Sequence, residues 1–460
     1  MAVNRNVIDM SHGPLFGKIV RYALPLMLTY LLQLAFHAAD MVVIGRWGSS
    51  ESLAAIGATG AITALIINVI TGLSTGANIL AAQYFGAKDS KNMTRLVHTA
   101  ISVSLVGGVA AALVGFAAVK WLVDITDIPE ASQGKSILYL VICFIGVPFQ
   151  IIYNFGSAIL RAVGNTKSPL YYLTTAGAVN VILNIFLVVI CKLDVAGVAI
   201  ATVISQALSA RLVTRRLQRN HGATRLIWRN LRIELAPLKK ILRLGLPAGL
   251  QSGCFSISNL VVQSGINSFG VAAVAGITAG HNIELLLYAF VYSMHHTAIA
   301  VVGQNYGAKQ YHRLIKAIYL CVGLMFAINI ITGYTLLYFS PQMVGIFSSD
   351  PEVIRFGVIR AQEMFTVYFL LGFMDVTSGA ARGLGATLIP AIATLAGTCG
   401  LRVLWVRFAL KHYDTVESIL WSYPISWVGV TICNIILLVY LCRKLLRCGS
   451  LDNRSIQLHR

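Results

Sequence analysis

Long apolar stretches recur along the whole sequence, and they constrain its fold more than any other feature. Each holds about 20 residues or more, enough for an α-helix to cross about 30 Å of hydrocarbon. Because 57% of the 460 residues are hydrophobic and only 12% are charged, a soluble domain would have too little polar surface to cover them. The sequence therefore predicts an all-α integral membrane protein. The predicted helices, about twelve in all, cover residues 17–44, 53–83, 96–120, 136–160, 169–190, 195–213, 241–268, 272–304, 314–339, 355–381, 387–409 and 418–442.

Basic residues are concentrated in alternate loops between these predicted helices. The net charge is +19, and much of it lies in the central connection from Arg211 to Arg243 and after the last helix, from Arg443. Acids such as Asp124 and Glu130 occupy a loop of the other kind. By the positive-inside rule, both termini and the central connection of this multi-pass protein are cytoplasmic. This pattern explains the charge without a nucleic-acid partner.

The sequence contains two copies of one unit. The matching segments are Arg21-Tyr-Ala-Leu-Pro25 with Arg243-Leu-Gly-Leu-Pro247, Gln83-Tyr-Phe-Gly-Ala-Lys88 with Gln304-Asn-Tyr-Gly-Ala-Lys309, and Arg161-Ala-Val-Gly-Asn-Thr-Lys-Ser-Pro169 with Arg382-Gly-Leu-Gly-Ala-Thr-Leu-Ile-Pro390. We therefore predict an N-lobe over residues 1–220 with helices one to six, a basic cytoplasmic linker over 221–240, and a C-lobe over 241–460 with helices seven to twelve. Parallel repeats of this kind occur in transporters that work by alternating access.

The repeated Gly-Ala-Lys segments follow predicted helices two and eight. We expect each to end its helix with the glycine and to place Lys88 or Lys309 at the cytoplasmic surface.

Taken together, the Leu-Pro openings of both halves, the paired Gln-x-x-Gly-Ala-Lys turns, the two Arg-x-x-Gly turns and an acid late in the first helix resemble the multidrug and toxic compound extrusion (MATE) transporters. The similarity covers nearly the whole chain and is closest to the bacterial DNA-damage-inducible-F-like and related branches, which implies a location in the bacterial inner (cytoplasmic) membrane. It implies two six-helix lobes around a central cavity, and export of amphipathic, often cationic, compounds in exchange for H⁺ or Na⁺.

The resemblance also implies an ion-coupling site in the N-lobe. It places the coupling carboxylate at Asp40 and its polar neighbours at Asn180 and Asn184. Relatives commonly carry an acid at the last of these positions. Because Asn184 cannot titrate, a paired-carboxylate site is not expected here.

A comparison of the two copies identifies polar residues that the shared fold does not require. Asp40 aligns with Val262, Asn180 with Leu401 and Asn184 with Trp405.

Along the first helix, Gln33, His37 and Asp40 are spaced i, i+4, i+7 and share one face, which should contact protein or water rather than lipid. His37 is either a packed core histidine or, with Gln33, part of a proton relay. Pro25 removes a backbone hydrogen bond and is a candidate hinge.

The second copy has acids of its own. Glu284 aligns with Ile62 or Thr63, and Asp375 with Asn154. Either acid contacts substrate or ion, or has a structural role; for Asp375 that role is a helix cap or a pair with Arg382. Arg402, in the middle of the eleventh predicted helix, is a candidate partner for one of these acids.

The leading hypothesis is a monomeric secondary antiporter for amphipathic, cationic organic compounds. A lipid-linked oligosaccharide or polysaccharide flippase of the same superfamily is the alternative, although such relatives usually have extra helices and a more cationic cavity. A polytopic membrane enzyme is a remote third hypothesis, because the longest loop carries no cluster of catalytic acids or histidines.

The eight cysteines form no Cys-x-x-Cys pair and the chain has no Walker motif, so we expect neither a metal, a cofactor nor direct use of ATP.

Overall fold

The computed structural model describes residues 7–125, 130–413 and 415–458, and within them it contains helices and no β-strand. The first half of the chain forms six long helices. They are α1 Leu15–Trp47, α2 Ser50–Gly86, α3 Ser90–Ile125, α4 Glu130–Ala162, α5 Lys167–Asn184 and α6 Asp194–Arg219. A π-helical turn, Ile185–Ile190, continues α5.

The second half is similar but more interrupted. Its helices are α7 Leu235–Asn267, α8 Val271–Gly307, α9 Tyr311–Tyr338, α10 Ser340–Gly345, α11 Pro351–Phe365, α12 Phe369–Gly383, α13 Leu388–Thr394, α14 Arg402–His412, α15 Val416–Leu420 and α16 Ser422–Leu458. The π-helical turn Leu395–Leu401 joins α13 to α14. Each of the twelve predicted segments overlaps one or more of these helices.

Ten helical segments among the described residues are long and apolar enough to cross a membrane, and α11 with α12 makes an eleventh if the two count as one span. The helix α7 is not among them; it carries Lys239, Lys240 and Arg243 in its first turns. The prediction of an all-α membrane protein is confirmed.

The predicted span 355–381 is not one straight helix, which corrects the sequence interpretation. The helices α11 and α12 meet at an angle of 48°. At the break, the Val367 amide donates to the Met364 carbonyl (3.3 Å) and the Leu370 amide to the Val367 carbonyl (2.9 Å), each only three residues back. This tighter bonding replaces the α-helical pattern for a few residues. Neither proline nor glycine marks the break, so the sequence pattern predicts one continuous helix.

The two Gly-Ala-Lys segments end their helices in the same way, with the glycine as the last helical residue. Gly86 and Gly307 remain helical, and the following Lys88 and Lys309 take the left-handed conformation, with φ of 54° and 58°. The glycine is therefore the last helical residue, as expected, but the left-handed residue of each turn is the lysine two positions later. In the Arg-x-x-Gly turns it is the glycines, Gly164 and Gly385, that have positive φ, of 86° and 88°.

Contacts divide the chain into two compact units that do not follow the sequence order exactly. The first unit comprises Met1–Ile8 and Leu28–Gly249, and the second comprises Asp9–Met27 and Leu250–Arg460. The helix α1 thus passes from the second unit to the first after Met27, and α7 passes from the first to the second after Gly249. Pro25 and Pro247 lie just before these two points. The lobe boundaries at 220 and 240 stay a prediction.

Within the first unit, α4 packs against α2, α3 and α6; within the second, α8 packs against α9, α11 and α12. The first half of α7 lies unusually close to α2. A Cβ atom added to Gly72 would lie 2.2 Å from the Gly249 Cα, so the two backbones touch without an intervening side chain. Small residues allow such approach between helices in membranes.

Candidate functional site

A chain of hydrogen bonds links α1, α5 and α6 in the first unit. The Asn184 amide nitrogen donates to the Asp40 carboxylate and also to Asn180 Oδ1 (3.2 Å). Asn180 Nδ2 in turn donates to the Thr202 hydroxyl at 3.5 Å. We call Asp40, Asn180, Asn184 and Thr202 the first polar cluster. The structure thus brings together the three residues that the family resemblance named, and adds a fourth.

The first polar cluster lies beside an apolar core. Asn184 is fully buried and Asn180 nearly so, whereas Asp40 is partly buried. The neighbouring core consists of Val43, Ile44, Ile56, Val188 and Val198, with Met41 and Tyr139 packed against it. A carboxylate at the centre of a membrane helix costs about 2.5–3.5 kcal/mol on the insertion scale. Few polar groups near Asp40 offset that cost, so the ionised Asp40 carboxylate is stabilised mainly by the Asn184 amide.

Two local features position this cluster. A Cβ atom on Gly177 would lie 1.9 Å from the Phe36 ring, so α5 accepts the Phe36 side chain of α1 only because residue 177 is glycine. Immediately after Asn184, the helix widens into the π-helical turn Ile185–Ile190. Turns of this type recur at functional sites, where they change the direction of side chains.

The Asn184 side chain has one atom with no partner. Both of its N–H groups are used, by Asp40 and Asn180, and this fixes the orientation of the amide. Its Oδ1 is buried and accepts no hydrogen bond from the described residues. The oxygens of Asp40 and Asn184 are the type of ligand that suits a hard cation, and the carboxylate alone can take a proton. The arrangement can therefore bind either a hard cation or a proton.

The other predicted residues of α1 lie outside the first polar cluster. Gln33 and His37 are exposed, and neither makes a hydrogen bond to the described residues. The interpretation of His37 as a packed core histidine is therefore wrong. Pro25 is buried and lies inside α1. Close to it, the Ser293 hydroxyl of α8 donates to the Ala23 carbonyl at 2.6 Å, which ties this part of α1 to the second unit.

In the second unit, Glu284 forms a buried ion pair. Arg360 of α11 donates to Glu284 Oε2 through Nη2 (2.7 Å) and Nε (3.0 Å), and both side chains are more than nine-tenths buried. The same Nη2 lies 3.1 Å from His281 Nδ1. Because a guanidinium only donates, that ring nitrogen must accept, which gives a neutral imidazole in this arrangement.

A second arginine completes this group without pairing with an acid. Arg402 donates to Asn259 Oδ1 and to the Ser426 hydroxyl, both at 3.1 Å. Its guanidinium lies 4.4 Å from the centre of the Tyr423 ring, and that of Arg360 lies 5.6 Å from the same ring. The expectation that Arg402 pairs with an acid is wrong, since Arg360 occupies that role. We call His281, Glu284, Arg360, Arg402 and Tyr423 the second polar cluster.

Asp375 lies apart from the second polar cluster. Its backbone carbonyl accepts a hydrogen bond from His295 Nδ1 at 2.7 Å. No hydrogen bond or ion pair reaches its carboxylate from the described residues, and Arg382 instead donates to Gln251 Oε1. The structure therefore does not join Asp375 to Glu284.

Thr202, Gly177 and Arg360 were missed in the sequence interpretation. Thr202 is an ordinary hydroxyl on an apolar helix, and Gly177 is one of 40 glycines. Arg360 could have been identified from the sequence, because a charged residue inside a predicted membrane span should have a partner. The repeat offset of 221 aligns Tyr139 with Arg360 and Thr202 with Tyr423. Thr202 and Tyr423 are thus the one equivalent position that belongs to both polar clusters, and the other members of the two clusters lie at different positions of the repeat.

No group of three or more His, Cys, Asp and Glu side chains lies close enough to hold a metal ion, within the part of the chain that the structure describes.

Comparison with known proteins gives consistent results. The sequence model of the MatE family matches residues 25–186 and again residues 247–406, so the two matches begin at Pro25 and at Pro247. A probable multidrug resistance protein of Bacillus subtilis (strain 168), YoeA, is 26% identical over 415 residues, covering 88% of this chain and 89% of the relative.

A second relative, named as an FAD transporter, comes from Shewanella oneidensis and is 23% identical over 420 residues, covering 90% of this chain and 92% of its own. Among solved structures, one described as the outward-facing conformation of a multidrug resistance MATE family transporter superposes with a TM-score of 0.90 at 21% identity. It covers 97% of this chain and 100% of its own.

Proposed function

Because the chain belongs to the MatE family, we propose that it is a secondary antiporter that exports amphipathic organic compounds in exchange for H⁺ or Na⁺. The observation that carries this proposal is the contact between Asp40 and the Asn184 amide beside an apolar core. An ionisable group in such a place needs either a partner or a bound ion. The protein acts as a monomeric transporter rather than an enzyme, without a cofactor, in the bacterial inner membrane with both termini cytoplasmic.

Ion binding changes what Asp40 and Asn184 can offer each other. The ionised carboxylate accepts the Asn184 N–H, and the charge strengthens that hydrogen bond. A proton on Asp40 weakens it, because a neutral carboxyl is a poorer acceptor and also carries a donor. That donor suits the unpartnered Asn184 Oδ1, which becomes available if the amide rotates. A bound Na⁺ would similarly prefer the amide oxygen to the N–H.

This local change is transmitted along α1 to Pro25. Asp40 and Pro25 lie on the same helix, and Pro25 lies just before the point where α1 passes between the two units. A helix bends most readily at proline, where a backbone hydrogen bond is missing. Loss of the Asp40–Asn184 contact frees the second half of α1 from α5, and bending at Pro25 then couples ion binding to alternating access.

One coupled ion is enough to drive useful export. For a neutral cargo, moving one elementary charge through 100 mV supplies about 2.3 kcal/mol, which supports a roughly fifty-fold substrate gradient. For a monovalent cationic cargo the exchange moves no net charge, and the concentration gradient of the coupled ion supplies the energy instead. The single titratable group of the first polar cluster therefore meets the energetic requirement.

A substrate with an acidic group is the second candidate. The second polar cluster holds two buried arginines and one buried glutamate, an excess of one positive charge. A buried positive charge favours an anionic partner. The FAD transporter among the relatives gives this candidate further support.

The proposal is tested with the purified protein in proteoliposomes, under separately imposed pH and Na⁺ gradients. A fluorescent organic cation and FAD serve as the two cargoes. We expect one of the gradients to drive uptake or release of one cargo, and its dissipation to abolish transport. Absence of any effect of either gradient, with protein shown to be folded and inserted, would reject antiport.

A further inference from the structure

The linker between α6 and α7 is fixed on the beginning of α3. The Thr94 hydroxyl donates to the Ala223 carbonyl at 3.2 Å, and the Ile227 amide donates to His98 Nε2 at 3.2 Å. Since the other ring nitrogen of His98 lies 2.8 Å from the Thr94 carbonyl, His98 is a neutral, fully bonded side chain. The linker is therefore an ordered part of the first unit, and its surface has a defined shape.

A cavity of about 510 Å³ lies between this linker and α3. Its charged lining consists of Arg95, Arg229, Arg232 and Glu234. Glu234 accepts hydrogen bonds from Arg95 and from Arg232, the latter at 2.7 Å. Burial tends to raise the pKa of Glu234, but these arginines outweigh it and hold the pKa below its usual value. Glu234 is therefore ionised, and three positive charges face one negative charge.

Among these arginines, Arg229 is the one whose positive charge is not paired with Glu234. It lines the cavity, and no ion pair or hydrogen bond from the described residues engages its guanidinium. A guanidinium presents five donors in a planar fork that fits a phosphate group. The cavity therefore has the charge and the donors for an anion that carries phosphate.

The same linker and the first residue of α7 expose apolar side chains beside the cavity. Ile227, Trp228, Ile233 and Leu235 expose between 41 and 69% of their surface. They lie next to the ends of two candidate membrane spans, Ser90–Asp124 and Asp194–Arg219. Tryptophan and aliphatic residues in such places typically enter the membrane interface. A ligand that reaches this cavity from the membrane would be amphiphilic, with an acidic head and an apolar tail.

We propose that this cavity binds the phosphate headgroup of an anionic phospholipid from the membrane leaflet in which the linker lies. Basic pockets at the ends of membrane helices on the cytoplasmic side bind such headgroups. The charge pattern of the loops predicts that side for the linker. The site is separate from the first polar cluster and does not depend on the proposed transport activity.

The test uses the full-length protein, stripped of lipid in a neutral detergent and titrated with phosphatidylglycerol while the first bound lipid is followed by native mass spectrometry. Phosphatidylglycerol should bind more tightly than phosphatidylcholine. Arg229→Gln should weaken phosphatidylglycerol binding about five-fold, the ratio given by ~1 kcal/mol per basic residue. Arg229→Lys should retain most of the affinity.

Arg225→Gln is the matched control, because Arg225 is exposed on the same linker but does not line the cavity. It should leave binding unchanged. Equal weakening by Arg225→Gln and Arg229→Gln, or equal affinity for the two lipids, would overturn the proposal. Arg229-dependent binding of free glycerol phosphate, with phosphatidylglycerol binding unaffected by Arg229→Gln, would reassign the cavity to a soluble anion.

Discussion

Asn184 donates one amide hydrogen to Asp40 and the other to Asn180, so a single side chain on α5 joins the acid of α1 to the rest of the first polar cluster. The second copy has Trp405 in its place. The connection is therefore a property of one copy and not of the repeated fold.

Removal of this connection should impair transport. In Asn184→Leu, Asp40 loses the N–H that stabilises its ionised form, a hydrogen bond worth about 1.5–3 kcal/mol. We expect ion-driven export to fall at least about ten-fold. Asn329→Leu is the control, since Asn329 is equally buried but bonds to Met325 of its own helix. Transport rates in proteoliposomes at equal protein content check this, and similar losses in both variants would contradict it.

The contact between Gly177 and Phe36 predicts an effect of a single methyl group. Gly177→Ala forces the Phe36 ring out of its place, and overpacking of this kind typically destabilises by about 1–3 kcal/mol. Gly107→Ala provides the comparison, because a Cβ atom there meets nothing within 4 Å. Thermal unfolding in detergent should show a lower midpoint for Gly177→Ala and an unchanged or higher one for Gly107→Ala. The reverse order would show that the packing of α1 on α5 is described wrongly.

The buried pair of Glu284 and Arg360 predicts a large loss of stability when one partner is removed. Glu284→Gln leaves the Arg360 charge uncompensated, at a cost of about 3–5 kcal/mol. Glu284→Gln combined with Arg360→Met should recover much of this loss. For comparison, Glu352→Gln breaks an exposed pair with Arg355 and should have little effect on unfolding. If the double variant is stable but inactive, the Glu284–Arg360 pair has a role in transport beyond structure.

Acid should loosen the N-terminal turn around Asp9. The Asp9 carboxylate accepts hydrogen bonds from the Ser11 amide (2.8 Å) and hydroxyl (2.5 Å). Burial raises the pKa of Asp9, but these hydrogen bonds outweigh it and lower the pKa below its usual value. Its stabilising contribution is thus present above about pH 4 and is lost as the pH falls through the lower folded value.

Hydrogen exchange of residues 9–13, corrected for the intrinsic effect of pH, should therefore accelerate in wild type below about pH 4. Asp9→Ala, which removes the acceptor, should already exchange quickly at neutral pH and show no such step. An identical pH profile for both proteins would contradict this interpretation.

Sequence patterns predicted the helices and the membrane fold because hydrophobic length and repeat spacing are local properties. The family membership inferred from the paired motifs is confirmed. The pairing of Glu284 with Arg360 was not predictable in this way, since the two residues are 76 positions apart and meet only through packing of α8 on α11. The bend between α11 and α12 was also missed, because no proline marks it.

The most direct test of the account is the coupling of ion flux to transport in Asp40→Asn. Asparagine keeps the shape and can still accept the Asn184 N–H, so folding should be preserved, but it neither takes up a proton nor attracts a cation. Asp124→Asn is the control, an exposed acid at the end of α3. With an imposed cargo gradient, wild type and Asp124→Asn should move the coupled ion in the opposite direction, and Asp40→Asn should not. Undiminished cargo-driven ion flux in Asp40→Asn would contradict the central claim.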